Sequence, residues 1–287
     1  MAFNFQTFRT RALTAIVFVV VMLFGLLWNQ WSFLALFSVI HFGCWVEYQK
    51  LVGLIDNDYT QISPLHRYGM MFAGWGIVLW MTDSSYQIGN ISVHVAGWWI
   101  FSISFIVFVL GEFILSKSIK PRLWAHSILG LVYISLSWGL MMRLWGNLHQ
   151  TVFAGENWTT PVLLIASIWI NDTMAYLVGS MIGRTPLSPV SPKKTWEGTI
   201  GGAILAVLAV VLIGFYAFHF SIAPLVIISL TAAVAGTLGD LFESKLKRLA
   251  NVKDSGQIMP GHGGFLDRFD SLLLATTAVW IIFYLFY

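Results

Sequence analysis

The sequence predicts an all-α, polytopic integral membrane protein with about nine transmembrane helices and a cytoplasmic N-terminus, and three observations lead there. The first is composition. Of 287 residues, 57% are hydrophobic and 10% are charged, and the mean hydropathy is +0.77. A soluble domain carries about 25% charged residues, so too few are present to coat a water-facing surface. The second is patterning. Apolar residues come in long runs, several reaching the ~20 residues that a helix needs to cross the hydrocarbon layer, and the ~10-residue alternating segments of a transmembrane barrel are absent. The third is the placement of the cations.

The predicted spans are 12–28, 31–49, 68–82, 93–115, 123–146, 159–182, 197–219, 221–240 and 268–287. Arg9 and Arg11 precede the first run as they would in a signal peptide, but no small-residue cleavage site follows, so the run reads as an uncleaved first helix. With the N-terminus inside, 15 of the 16 Lys and Arg residues fall on the inner side, Arg143 being the exception. That asymmetry is the positive-inside rule closely obeyed. The single cysteine, Cys44, lies in an apolar run and reads as a packing residue; one cysteine excludes an intrachain disulfide and a cysteine-based metal site.

Two regions differ in character. Residues 1–150 read as a transmembrane scaffold, rich in Trp, Phe, Val and Ile, with Trp28, Trp31, Trp98, Trp99, Trp145 and Trp158 near span ends, where indoles favour the interface. Residues 151–287 read as the chemical region, with polar residues concentrated in the inner loops 183–197 and 241–267. No internal repeat supports the symmetric plan of many transporters.

The densest cluster runs from Ser244 to Asp270. Lys247, Arg248, Lys253 and Arg268 can neutralise phosphate oxygens. The turn Gly261-His262-Gly263-Gly264 lets backbone N–H groups approach an anion closely. Asp267 and Asp270, three apart at the start of the last helix, share a face and can hold a divalent cation, and Asp240 can complete that carboxylate site for Mg²⁺. His262 reads as a turn-stabilising or phosphate-contacting residue, since a phosphate nucleophile is already an anion; a general-base role is the alternative. Upstream, Asp172 lies well inside a span, where a carboxylate defaults to function. Lys193 and Lys194 offer cations just before a helix start, with Thr195 beside them and Glu197 in the first turn, either as ligand contact or as part of a capping box. Lys245 and Lys117 read as topology signals or anionic-lipid contacts.

The run Ser244-x-Leu246-Lys247-Arg248, four residues, Lys253-Asp254-x-Gly256, then Pro260-Gly261-His262-Gly263-Gly264-x-x-Asp267-Arg268-x-Asp270 resembles the signature of the phosphatidate cytidylyltransferase family. Met259 stands where that family more usually has leucine. Asn171-Asp172-Thr173, Ala175-Tyr176, Gly183-Arg184-Thr185 and Ser191 to Gly198 resemble its other recurrent block, so the likeness is specific over 165–287 and only a hydrophobic pattern before that. The resemblance implies attack of a phosphatidic acid phosphate oxygen on the α-phosphorus of CTP, release of pyrophosphate and formation of CDP-diacylglycerol, with Mg²⁺ as cofactor. It places Asp240, Asp267, Asp270, Lys247, Arg248 and His262 in catalysis. Asp172, Lys193, Lys194, Thr195, Glu197, Ser244, Lys253, Asp254, Gly261, Gly263, Gly264 and Arg268 then bind substrates. The compact size points to a bacterial inner membrane, an organelle membrane being the alternative, and the charge distribution to a site facing the cytoplasm; no nucleic-acid partner is expected, and a homodimer is an allowed assembly. A CDP-alcohol phosphotransferase would show Asp-Gly-x-x-Ala-Arg, which does not occur. A transporter would spread its polar residues through several spans, and a bare anchor has no need of the 244–270 constellation.

Overall fold

A computed structural model describes residues 5–115, 120–146, 152–153, 156–257 and 263–287, with only the backbone of 5–12 and 115 described. Each predicted span is a helix: α1 Phe5–Leu27, α2 Gln30–Ile55, α3 Pro64–Trp80, α4 Val93–Leu115, α5 Pro121–Trp145, α6 Thr159–Ile182, α7 Trp196–Phe218, α8 Ile222–Leu249 and α9 Leu266–Phe286. Six of them, α4 to α9, are by themselves long and apolar enough to cross a membrane. Two short antiparallel hairpins interrupt the helices, β1–β2 (Gln87–Ile88 with Ile91–Ser92) and β3–β4 (Pro186–Ser188 with Ser191–Thr195). Gly89 turns the first at φ +60°, a conformation glycine adopts without steric cost.

Helix α8 runs nine residues past its predicted end at 240, so Ser244 to Arg248 lie on a helix and not in a loop. Hydropathy marks only the apolar part of such a helix. The extension 241–249 is mostly Leu, Glu, Lys and Arg, all good helix formers, with an i,i+4 pair between Glu243 and Lys247 and basic residues in the last turn.

The helices form two compact units. The first comprises residues 1–80, 84–136 and 249–269, and the second 81–83, 137–248 and 270–287. The segment 249–269, which carries much of the signature, thus packs with the N-terminal helices. In the first unit α2 is central: Phe33, Phe37, Cys44, Trp45 and Tyr48 are fully buried. A π turn at Leu131–Leu136 interrupts α5 where it meets α2; there Ser135 Oγ accepts from Trp45 Nε1 at 2.8 Å and lies 3.0 Å from His41 Nε2. His66 bridges Glu112 at 3.2 Å and Ser127 at 2.8 Å, and Tyr59 reaches the same Ser127 hydroxyl at 2.9 Å. These buried polar groups are hydrogen-bonded to one another, as a low-dielectric interior demands. Trp28 and Trp99 are exposed as interfacial residues would be, whereas Trp145 is buried.

In the second unit α7 shows why its overall amphipathicity is weak. Gly198, Gly202, Ala206, Val210 and Gly214, each four apart, form the buried stripe, while Ile200, Ile204, Leu208 and Leu212 are exposed on another face. Small residues let α7 approach α6 so closely that a Cβ on Gly202 would press into the Ala175 backbone. Such small-residue seams replace the hydrophobic effect as the reason for helices to associate in lipid. The exposed apolar stripe suits acyl chains.

Candidate active site

The second unit holds a cavity of about 470 Å³. Helix α6 contributes Asn171, Asp172, Tyr176 and Ser180, the β4 strand Lys193, Lys194 and Thr195, α7 Thr199, and α8 Thr237 and Asp240. Local sequence explains how these meet. The seam of Ala175 and Gly179 against Gly198 and Gly202 draws α6 and α7 together. Thr195 caps α7, its Oγ1 accepting from the Gly198 N–H at 3.2 Å. Glu197 does not close a capping box on its own helix. Its carboxylate accepts from the Arg184 N–H at 3.1 Å, the Thr185 N–H at 3.1 Å and Thr185 Oγ1 at 2.8 Å. It thereby fixes the turn after α6 to the start of α7 and aims the hairpin that carries Lys193 and Lys194.

Inside the cavity the Lys194 ammonium is paired with the Asp240 carboxylate, and Ser244 Oγ donates to Asp240 at 3.2 Å. Helices α8 and α9 touch at Gly239, where a Cβ would strike the Asp270 carbonyl. Asp270 therefore lies close enough to Asp240, Lys194 and Lys247 to feel their charges. Lys247 is also paired with buried Glu243. The unit thus assembles Asp172, Lys193, Lys194, Thr195, Asp240, Ser244, Lys247 and Asp270, with Arg248 exposed on the same helix as Asp240 and Ser244. Thr199 and Thr237 also line the cavity; two threonines in apolar runs gave no signal to find them by.

The remaining signature residues are in the first unit. The Asp267 carboxylate accepts from the Ser255 N–H at 2.9 Å and the Gly264 N–H at 2.8 Å, and lies 2.9 Å from Ser255 Oγ. Gly263 has φ +83°, the left-handed region that favours glycine. Lys253, Asp254 and Arg268 are exposed. Gly261 and His262 lie outside the described residues, as does Lys117.

Sequence reasoning missed one residue here. Glu47, from the middle of α2, is 5% exposed and accepts from Ser255 Oγ at 2.7 Å, the Phe265 N–H at 2.9 Å and the Leu266 N–H at 2.8 Å. A lone carboxylate within an apolar run was the available signal, the same one that picked out Asp172.

Magnesium is a hard cation usually bound by one or two carboxylates together with substrate phosphates. Among the described residues no three His, Cys, Asp or Glu side chains are grouped so as to hold a metal by themselves. The Asp240 and Asp270 carboxylates beside the cavity offer oxygen donors of the kind such a partly substrate-held ion uses.

The sequence profile of the Cytidylyltransferase family matches residues 9–286, and the chain belongs to that family. Among its relatives, the phosphatidate cytidylyltransferase of Staphylococcus haemolyticus is 47% identical over 37% of this chain and 42% of its own length. That of Rickettsia bellii is 39% identical over 55% of this chain and 68% of its own. Phosphatidate cytidylyltransferase 4, chloroplastic, of Arabidopsis thaliana is 38% identical over 53% of this chain and 39% of its own. For the staphylococcal and plant proteins the match thus spans about two fifths of the relative's length.

Proposed function

We propose that this protein condenses CTP with phosphatidic acid to give CDP-diacylglycerol and pyrophosphate. The observation that carries this reading is the cavity where Lys193 and Lys194 meet Asp172 and Asp240, in a chain of the cytidylyltransferase family. A phosphatidate oxygen bonds to the α-phosphorus of CTP, the bond from that phosphorus to the bridging oxygen breaks, and pyrophosphate leaves with the electron pair. The attacking group is already an anion, so no side chain has to remove a proton. What the protein must supply is alignment and compensation of charge.

Lys194 is suited to the second task, because its ammonium already stands in the cavity on Asp240 and can shift to a phosphate oxygen. Lys193 adds a second cation on the same strand. Asp240 and Asp270 would hold Mg²⁺, and the resemblance assigns Asp267 a role in the same reaction. When bound, that ion offsets charge on the triphosphate and leaving group. Asp172, on a membrane-spanning helix and exposed to the cavity, lies where a lipid phosphate can enter from the bilayer. A bacterial inner membrane with the cavity facing the cytoplasm suits this reading, since CTP is cytoplasmic and the basic loops are inner by charge count. A homodimer is compatible with it.

The test is product formation by purified protein in detergent with labelled CTP and Mg²⁺, comparing phosphatidic acid, an isoprenoid phosphate and no lipid. CDP-lipid and pyrophosphate formed only with phosphatidic acid supports the assignment. Folded protein that makes neither overturns it.

A further inference from the structure

We propose that Glu47 is a positioning residue that holds Asp267 in register for the reaction, an inference that rests on the cytidylyl-transfer reading above. No motif of the chain includes Glu47, and it lies some two hundred residues before the segment it grips.

The geometry is specific. The first N–H groups of a helix have no partner within it, and at α9 two of them, on Phe265 and Leu266, are capped by a carboxylate from another helix. The same Glu47 carboxylate takes the Ser255 hydroxyl at 2.7 Å, and that hydroxyl is 2.9 Å from Asp267. Ser255 therefore stands between the two carboxylates, held by Glu47 on one side and touching Asp267 on the other. Its own N–H and that of Gly264 complete the hold on Asp267.

The surroundings are shaped to admit Glu47. A Cβ on Gly256 or on Gly264 would land on its carboxylate. One helical turn earlier on α2, a Cβ on Gly43 would run into the Phe265 ring. Residues 43 and 47 share a face, so α2 presents one small residue and one carboxylate to the segment 255–267. Gly256 and Gly264, two glycines of the signature, are thus explained by the protein's own carboxylate. Burying an anion is costly unless it is hydrogen-bonded, and the three donors offset that cost only while the segment keeps this shape. Glu47 therefore makes the placement of Asp267 rigid and does not touch substrate itself.

The experiment uses the full chain in detergent and the variants Glu47→Gln, Ser255→Ala and their combination. Glu47→Gln keeps size but turns an amide N–H₂ toward a site lined by donors. Both single variants are expected to lower kcat roughly 10- to 100-fold, the scale of a small misplacement at a reacting centre, with KM for CTP and for lipid within about threefold. Because both act through one bridge, the double variant should be no worse than the more damaged single one. Hydrogen exchange should speed up in peptides covering 255–267 and stay unchanged in those covering the cavity helix α6. Folded Glu47→Gln with wild-type kcat overturns the proposal, as does a fully multiplicative double variant or a loss confined to KM. If Glu47→Gln does not fold, Ser255→Ala with wild-type kcat and exchange overturns it equally. Should the wild type make no CDP-lipid, the reaction reading falls. Exchange then decides: unaltered protection at 255–267 in the variants overturns the anchoring, and faster exchange there sustains it.

Discussion

The two units treat acidic side chains in opposite ways. In the first, the Glu47 carboxylate and Oδ2 of Asp267 are engaged by backbone and hydroxyl donors, and glycines make room for them. In the second, Asp172 and Asp240 line an open cavity, and the partner of Asp240 is a flexible lysine ammonium that can move. One arrangement uses donors to hold its carboxylates in a set place, and the other leaves them open to a ligand. The signature therefore combines two physical roles in one stretch of sequence. Which role a given aspartate has depends on the donors around it, a property that spacing alone does not carry.

Substitutions can break or sharpen that contrast. The largest effect is expected from Asp240→Asn, which keeps the shape of the cavity and removes its charge: product formation should fall about 10²- to 10³-fold, the scale of losing one preorganised electrostatic group, with an unaltered melting temperature in detergent. A large drop in melting temperature with activity retained would give Asp240 a structural role instead. Lys194→Ala should come next, raising KM for CTP roughly 10- to 100-fold through loss of a charge-assisted contact worth roughly 1.5–3 kcal/mol, as read from initial rates over a range of CTP concentrations. Gly264→Ala should show in stability as well as in rate. A methyl group forced against the Glu47 carboxylate is expected to cost about 1–3 kcal/mol, seen as melting several degrees earlier.

The smallest effect concerns a pair that belongs to neither site. Arg122 grips Asp56 through Nε at 2.6 Å and Nη2 at 2.5 Å, and this hydrogen bonding holds the Asp56 carboxyl below the usual carboxylate range. A carboxyl whose pKa is lowered by folding adds stability that is complete above its unfolded value, about 3.9. That stability is lost as pH falls through the folded value. Arg122→Ala should therefore melt slightly below wild type at neutral pH, with the gap closing below about pH 4. A gap that widens on acidification would contradict the assignment.

Much of this was legible in the sequence. Nine apolar runs became nine helices among the described residues, because in lipid every backbone group must be satisfied within its own segment. Asp172, Lys193, Lys194 and Asp240, singled out by charge in apolar surroundings, line one cavity. Three features were not legible. The last turns of α8 were hidden because hydropathy does not report a charged amphipathic continuation. Hairpin β3–β4 was hidden because Pro186-Leu187-Ser188 and Ser191-Pro192-Lys193 lack the alternation that marks strands. The role of Glu47 was hidden, though its lone carboxylate was visible, because its partners Ser255, Phe265 and Leu266 stand at variable positions of the signature and a contact across some two hundred residues leaves no local pattern.

If the cavity of the second unit receives the nucleotide, a group placed in its wall should be shielded by CTP. Ser180 lines the cavity and is exposed, and Cys44 is buried. A Ser180→Cys substitution in a Cys44→Ser background therefore offers one accessible thiol for a maleimide. CTP with Mg²⁺ is predicted to slow labelling at position 180 several-fold, over the concentration range that saturates product formation. Labelling that proceeds at the same rate while the protein turns over CTP would put the nucleotide elsewhere and contradict the account.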